Sequence, residues 1–316
     1  MNERTEDRAT HVVVVANQKG GVGKTTNTIN IAAAMGELGH RSLIIDLDMT
    51  AGATKALNVP TSGWVSTFEL VTRAEEAEHC IIDETEEEVV LPRGVHLVPA
   101  SRRLNELDAW LAHPENRWVN PLDLLLEPME QLRGLYDFVF LDTPPQITKT
   151  TLPAFRAADY VILSATPERL AVDGLADALM DIANAKRAGN DGIRLLGVAV
   201  CAFVKGKRMT RLARELIKYI DDNITDEQGL PLRFENEISR AVAVQEAQRA
   251  GQSIFEYDPS HAIAEQYRAL ARELLARIAS HNNVELAPQP RPLEVEPSEE
   301  TSGSDDALLV EEAGNA

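Results

Sequence analysis

Lys19-Gly20-Gly21-Val22-Gly23-Lys24-Thr25-Thr26 sets two lysines and two threonines around a glycine-rich turn. Glycine, four variable residues and then Gly-Lys-Ser/Thr is the spacing of a phosphate-binding loop. Gly23, Lys24 and Thr25 fit it, while Gln18 stands where the first glycine belongs. In such a loop the backbone N–H groups of residues 20–26 and a following helix N-terminus point at a phosphate. Lys24 then reaches the β- and γ-phosphates of ATP or GTP, and the Thr25 hydroxyl holds Mg²⁺. One nucleotide needs one lysine from within the loop. Lys19 is therefore a second movable charge with another purpose.

Carboxylates supply the rest of the chemistry. Residues 41–46 read RSLIID and continue Leu47-Asp48, so Asp46 and Asp48 both end an apolar run. Alternation along a strand puts them on one side. Residues 137–142 read DFVFLD before Thr143-Pro144-Pro145. An aspartate at the end of an apolar strand is the other half of a nucleotide site, because it holds Mg²⁺ directly or through water. Three carboxylates gathered there need a metal ion and lysines to offset their charge.

These groups require strands that end together. HVVVVA at 11–16 suits a strand buried on both faces. Further sheet signals fall at 41–46, 95–99, 137–142, 160–165 and 194–203, alternating with helical patterns. The expectation is an α/β fold, a mostly parallel sheet with helices on both faces, whose strand C-termini converge on the ligand. Residues 26–38 carry the apolar spacing of a helix packed on that sheet, and Gly39 suits its left-handed end. Ile238 stays open between strand and loop, and a helix over about 261–281 closes the domain.

The 316-residue chain divides by composition into a loose start at 1–10, one domain over 11–282, and a tail at 283–316 rich in Pro, Ser, Glu and Asp. That tail has too little apolar surface to fold alone and is expected to be disordered. The net charge of −19 speaks against a nucleic-acid partner until it is located. The tail holds nine acids against one arginine, and residues 71–90 hold eight against Arg73. Lys205, Lys207, Arg208, Arg211, Arg214 and Lys218 form the basic counterpart, with 207, 211, 214 and 218 spaced to share one helix face. Such a face binds DNA backbone without reading sequence. Cys80 and Cys201 match no ligand spacing, consistent with a reducing cytoplasm. No stretch has the length of a membrane span, and MNERTEDRAT lacks the order of a signal peptide. Neither the role of 63–92 nor that of the tail is legible.

KGGVGKTT after a valine-rich strand, the Asp-Leu-Asp at 46–48 and LDTPP at 141–145 resemble the ParA/MinD group of ATPases with a deviant Walker A loop. AADYVILSATPERLAVDGL, RLLGVAVCAF and EISRAVAVQEAQRAGQSIFEYDP follow the order of ParA-type partition ATPases, so the resemblance covers residues 11–280. It implies an ATP- and Mg²⁺-dependent sandwich dimer. Lys19 matches the signature lysine that reaches the partner's phosphates, and Lys24 and Thr25 match the loop lysine and metal ligand. Asp48 matches the carboxylate that positions the attacking water, Asp46 its neighbour in the metal shell, and Asp142 the Walker B acid.

The family also implies nonspecific DNA binding, here through Lys207, Arg208, Arg211, Arg214 and Lys218, with Arg240 placed like an arginine used in some members. A ParB-like or other adaptor would stimulate hydrolysis, and the protein would be cytoplasmic and nucleoid-associated. Two departures stand out. Met49-Thr50-Ala51-Gly52 replaces the usual Pro-Gln-Gly-Asn, and the adenine-reading asparagine is missing near Ala202-Phe203, which leaves backbone or the 232–237 stretch to hold the base. The alternatives are a MinD-type membrane switch, disfavoured by the acidic DDALLVEEAGNA tail, and a metabolic P-loop enzyme or metal-cluster carrier. The missing Cys-x-x-Cys argues against the carrier.

Overall fold

The computed structural model describes residues 9–280 apart from 87, 147, 149, 168–170, 202–208 and 227. Six strands form one sheet: β1 (His11–Ala16), β2 (Ser42–Asp46), β3 (Val95–Val98), β4 (Phe138–Asp142), β5 (Tyr160–Ala165) and β6 (Arg194–Val200). Their order is β3-β2-β4-β1-β5-β6, and every neighbouring pair is parallel. Parallel strands need crossover connections, which clothe both faces and explain the near-continuous Val, Ile and Leu runs. The register sets Val15 opposite Asp142 and Asp46 opposite Asp142, so β1, β2 and β4 end side by side.

Strand alternation divides the core in two. Val12 and Val14 pack with Leu43, Ile45, Val139 and Leu141 on one face, and Val13 and Val15 pack with Ile44, Phe138 and Phe140 on the other. The first face is covered by α3 (Thr67–Thr72), α4 (Leu107–Ala112), α5 (Leu126–Leu132), α6 (Thr151–Ala157), α7 (Ala171–Arg187) and α8 (Arg211–Asn223). The second carries α1 (Lys24–Glu37), α2 (Gly52–Ala56), α9 (Val242–Arg249), α10 (Ile254–Tyr257) and α11 (Ala262–Ser280). The helix over 26–38 thus begins two residues earlier than its apolar pattern suggests, and Gly39 has the left-handed φ of +87°.

Several boundaries are sharper than the sequence implies. Residues 232–238 run beside β6 without joining it as a strand: Val198 N donates to Leu232 O, Phe234 N to Val198 O and Ile238 N to Val200 O. Thr10, assigned to the loose start, is buried, and its hydroxyl donates to Tyr136 O at 2.7 Å. Residues 1–8 and the 283–316 tail lie outside the described residues. The 63–92 segment closes a sheet edge, because Ile82 pairs antiparallel with Leu97 of β3 and so covers exposed backbone groups. Among the described residues no helix is long and apolar enough to cross a membrane.

Helix α1 lies so close to the approach to β3 that a Cβ on Gly36 would fall 1.9 Å from the Arg93 carbonyl oxygen. Gly36→Ala improves helix propensity by about 1 kcal/mol. The collision is with backbone, which no rotamer change relieves, and overpacking of this kind costs roughly 1–3 kcal/mol or more. Displacement of α1 is expected to win, lowering the unfolding free energy by about 2 kcal/mol. Urea denaturation measures it; an unchanged midpoint would show that α1 is free to slide.

Candidate active site

Gly21 and Gly23 have φ of +76° and +88°, a left-handed backbone that favours glycine and turns the loop back on itself. Gly23 is the N-cap of α1 and provides no side-chain cap, so the first N–H groups of the helix are left for an anion. Gly20 and Gly21 are exposed, and Val22 is buried as an anchor. Lys24 lies almost wholly inside the loop, its Nζ donating to Lys19 O at 2.9 Å. Burial pulls the Lys24 pKa down, against the opposing pull of Asp142 and Asp48. Lys19 is half-buried, and its N–H donates to Asn17 Oδ1 at 2.9 Å.

The strand register delivers Asp142 to α1. Thr25 Oγ1 donates to its Oδ2 at 2.8 Å and Thr28 Oγ1 to its Oδ1 at 3.0 Å. Asp46 is turned elsewhere. Its Oδ2 accepts from both the N–H and the hydroxyl of Thr54, at 2.8 and 2.7 Å, and its Oδ1 accepts from Asp48 N at 3.1 Å. Asp46 therefore braces the 48–54 loop. Asp48 is half-exposed beyond it, with Oδ1 accepting from Thr50 N.

Asp46 and Asp142 are both fully buried. Burial raises the Asp142 carboxyl to about 7, with Asp46 adding to the effect and the Thr25 and Thr28 hydroxyls opposing it. Burial likewise raises Asp46, to about 6, against its Thr54 and Asp48 hydrogen bonds. A hydroxyl and a carboxylate, both hard oxygen donors converging beside a phosphate loop and short of positive charge, suit Mg²⁺. Gly52 leaves room there, since a Cβ on it would lie 3.2 Å from Thr25 Oγ1. Ala51, where the family pattern has glycine, adopts a φ of +55°.

Beside the loop lies a cavity of about 400 Å³. Its floor is a buried polar knot. Asn27 Nδ2 donates to Ser164 Oγ at 2.8 Å and to Cys201 Sγ at 3.0 Å, and Asn27 Oδ1 accepts from the Tyr267 hydroxyl at 2.9 Å. Gln248 of α9 closes one side by donating to Thr26 Oγ1 at 2.7 Å. One wall runs from Ile238 to Gln248; residues 232–237, expected to hold the base, do not line this cavity. Leu232 O and Phe234 N bond β6, and Phe234 lies in the core beneath the Arg277 guanidinium. Asn27, Thr28, Thr54, Tyr267 and Gln248 were not singled out from sequence. A polar run, Thr25 to Thr28 and Asn30, on a helix otherwise buried is the signal that points to the first two.

The basic residues are separated. Arg211, Arg214 and Lys218 are exposed along α8, opposite the buried Ala213, Leu216, Tyr219 and Ile220. Arg211 is partly neutralised by Glu215 at 2.6 Å. Helix α8 begins at Arg211, because Thr210 is extended and caps it by accepting from Ala213 N. Lys205, Lys207 and Arg208 lie outside the described residues. Arg240 stands at the rim of the 400 Å³ cavity, apart from α8, which packs on the other face of the sheet.

A family model described as an AAA domain matches residues 10–195. The chain is 34% identical over 269 residues to the chromosome-partitioning ATPase Soj of Thermus thermophilus, spanning 84% of this chain and 96% of that protein. Cobyrinic acid a,c-diamide synthase of Mycobacterium smegmatis, solved with ADP and magnesium, superposes with a TM-score of 0.68 at 26% identity, over 86% of this chain and 96% of that one. Apo McdA of Cyanothece superposes with a TM-score of 0.71 at 20% identity, over 84% and 99%, which is a likeness of fold. With its phosphate loop, its aspartate-tipped parallel sheet and a relative matched over nearly its full length, the chain belongs to the ParA/MinD family of ATPases.

Proposed function

We propose that the chain is a positioning ATPase in which two copies close over two molecules of ATP with Mg²⁺. The closed form binds DNA without reading its sequence, and a ParB-like or other adaptor stimulates hydrolysis to position plasmid, chromosome or other cargo. The observation that carries this reading is the division between the two lysines. Lys24 is held inside its own loop, 2.9 Å from Lys19 O, as a group serving the nucleotide in cis. Lys19 sits at the mouth, half-exposed, beyond what that nucleotide requires. The relatives support the coarser part, since one is named a chromosome-partitioning ATPase and another a chromosome partitioning protein.

In this reading the N–H groups of residues 20–26 cradle the phosphates, and Lys24 and the partner copy's signature lysine offset their charge. Thr25 and Asp142 would hold Mg²⁺, which would supply charge neutralisation for the β- and γ-phosphates. Asp46 braces the metal shell through Thr54 and Asp48. Asp48 orients the attacking water. DNA contacts fall to Arg211, Arg214 and Lys218 on α8, joined by Lys207, Arg208 and Arg240.

Lys19→Gln is expected to abolish ATP-dependent dimerisation while leaving nucleotide binding, as read by light scattering and nucleotide titration. A normal ATP dimer in that variant would sink the trans-acting role. Changing Arg211 and Arg214 together to Glu is expected to remove DNA binding at low salt and spare dimerisation. Gel shifts that persist in the double variant would assign DNA to another surface.

A pH dependence follows from the buried pair. Asp46 and Asp142 have raised pKa values in the folded chain, so between about pH 4 and 7 the folded state holds more protons than the unfolded one, and stability falls as pH rises. The melting temperature of the nucleotide-free protein is expected to drop from pH 5 to pH 8. Asp142→Asn should flatten that slope, and Mg²⁺ with ADP should do the same in the unaltered protein. An identical slope in all three would remove the pair as its source.

A further inference from the structure

Gln18 occupies the place of the first glycine in the phosphate loop, and its side chain has a specific partner. Its Nε2 donates to Asp181 Oδ2 at 2.8 Å, and Asp181 is only 2% exposed. Asp181 lies on α7, seven residues after Gly174, so the two share one stripe of that helix. Gly174 presses on the same part of the loop: a Cβ there would fall 2.2 Å from Asn17 Oδ1 and 3.3 Å from Lys19 Cβ. Asn17 in turn accepts from Lys19 N and donates to Ser164 O of β5 at 2.7 Å. Lys24 begins α1, whereas residues 17–19 are tied to β5 through Asn17, to Lys24 through Lys19 O and to α7 through Gln18.

We propose that Asp181 is a positioning residue for Lys19: by accepting the Gln18 side-chain N–H it locks the first half of the loop onto α7 and so holds Lys19 where a second copy's nucleotide can be reached. Asp181 touches neither the phosphates nor the metal. It acts through Gln18, and its loss lets the 17–19 backbone drift while α1 keeps the cis contacts. A displacement of about 1 Å at a group that must meet a reacting phosphate is enough for a large loss of function.

This rests on the dimer reading above, and the test separates the two. In the full-length protein, Asp181→Leu is expected to bind a fluorescent ADP analogue as the unaltered chain does. Its ATP-dependent dimerisation by light scattering should require roughly tenfold more protein. Asp181→Asn, whose Oδ1 accepts the same N–H, restores it. Gln18→Ala, which removes the donor, shows the same dimerisation loss and serves if Asp181→Leu melts early. Normal dimerisation by Asp181→Leu or Gln18→Ala, beside a defective Lys19→Gln, overturns the positioning role alone. So does an Asp181→Asn as impaired as Asp181→Leu, or a parallel loss of ADP affinity, which marks a general packing defect. Normal dimerisation by Lys19→Gln removes the reading on which it depends.

Discussion

Two carboxylates, Asp46 and Asp142, end β2 and β4 in adjacent register with no exposure to water, and most of the site is arranged around that fact. Burying one ionised carboxylate is costly, and burying two in adjacent register adds their repulsion. The chain meets this with hydroxyls and N–H groups: Thr25 and Thr28 on one carboxylate, Thr54 and the Asp48 backbone on the other. Lys24 adds positive charge beside Asp142, although its own burial disfavours that charge. Neutral donors leave the charge uncompensated, so the carboxyls rise toward neutrality. A divalent cation held by Thr25 and Asp142 would offset that charge.

That constraint explains which parts of the protein were legible in the sequence. Strands buried on both faces must be largely apolar, so all six announced themselves, and the aspartates ending β2 and β4 stood out against those runs. The Lys19–Thr26 loop was legible because its geometry demands particular residues at fixed spacing. The wall of the 400 Å³ cavity was not. It depends on contacts such as Gln248 with Thr26, 222 residues apart, and no local pattern encodes them. Residues 232–237 misled for a related reason. Leu232 O and Phe234 N bond β6, Glu235 N and Asn236 N bond Glu273, and Phe234 is in the core, contacts that no local pattern shows.

The helix carrying the basic face shows a cue that was present and not used. Thr210 is a favoured N-cap residue followed by a helical pattern, and its hydroxyl accepts from Ala213 N. Periodicity alone extended the face back to Lys207; capping chemistry begins the helix at Arg211. Asp46 shows the opposite limit. Its placement at a strand end was readable, but its engagement with Thr54 depends on how the turn at 47–51 delivers α2, and residues 49–52 depart from the family pattern.

Helix α7 ties these observations together. One stripe, Gly174 and Asp181, holds the mouth of the phosphate loop, while Leu175, Ala178 and Ile182 anchor the helix in the core. The same helix packs against α8, where Arg211, Arg214 and Lys218 face outward. Lys19 and the basic face are thus attached to a common rod, although the strongly acidic chain brings them from segments nearly 200 residues apart in sequence.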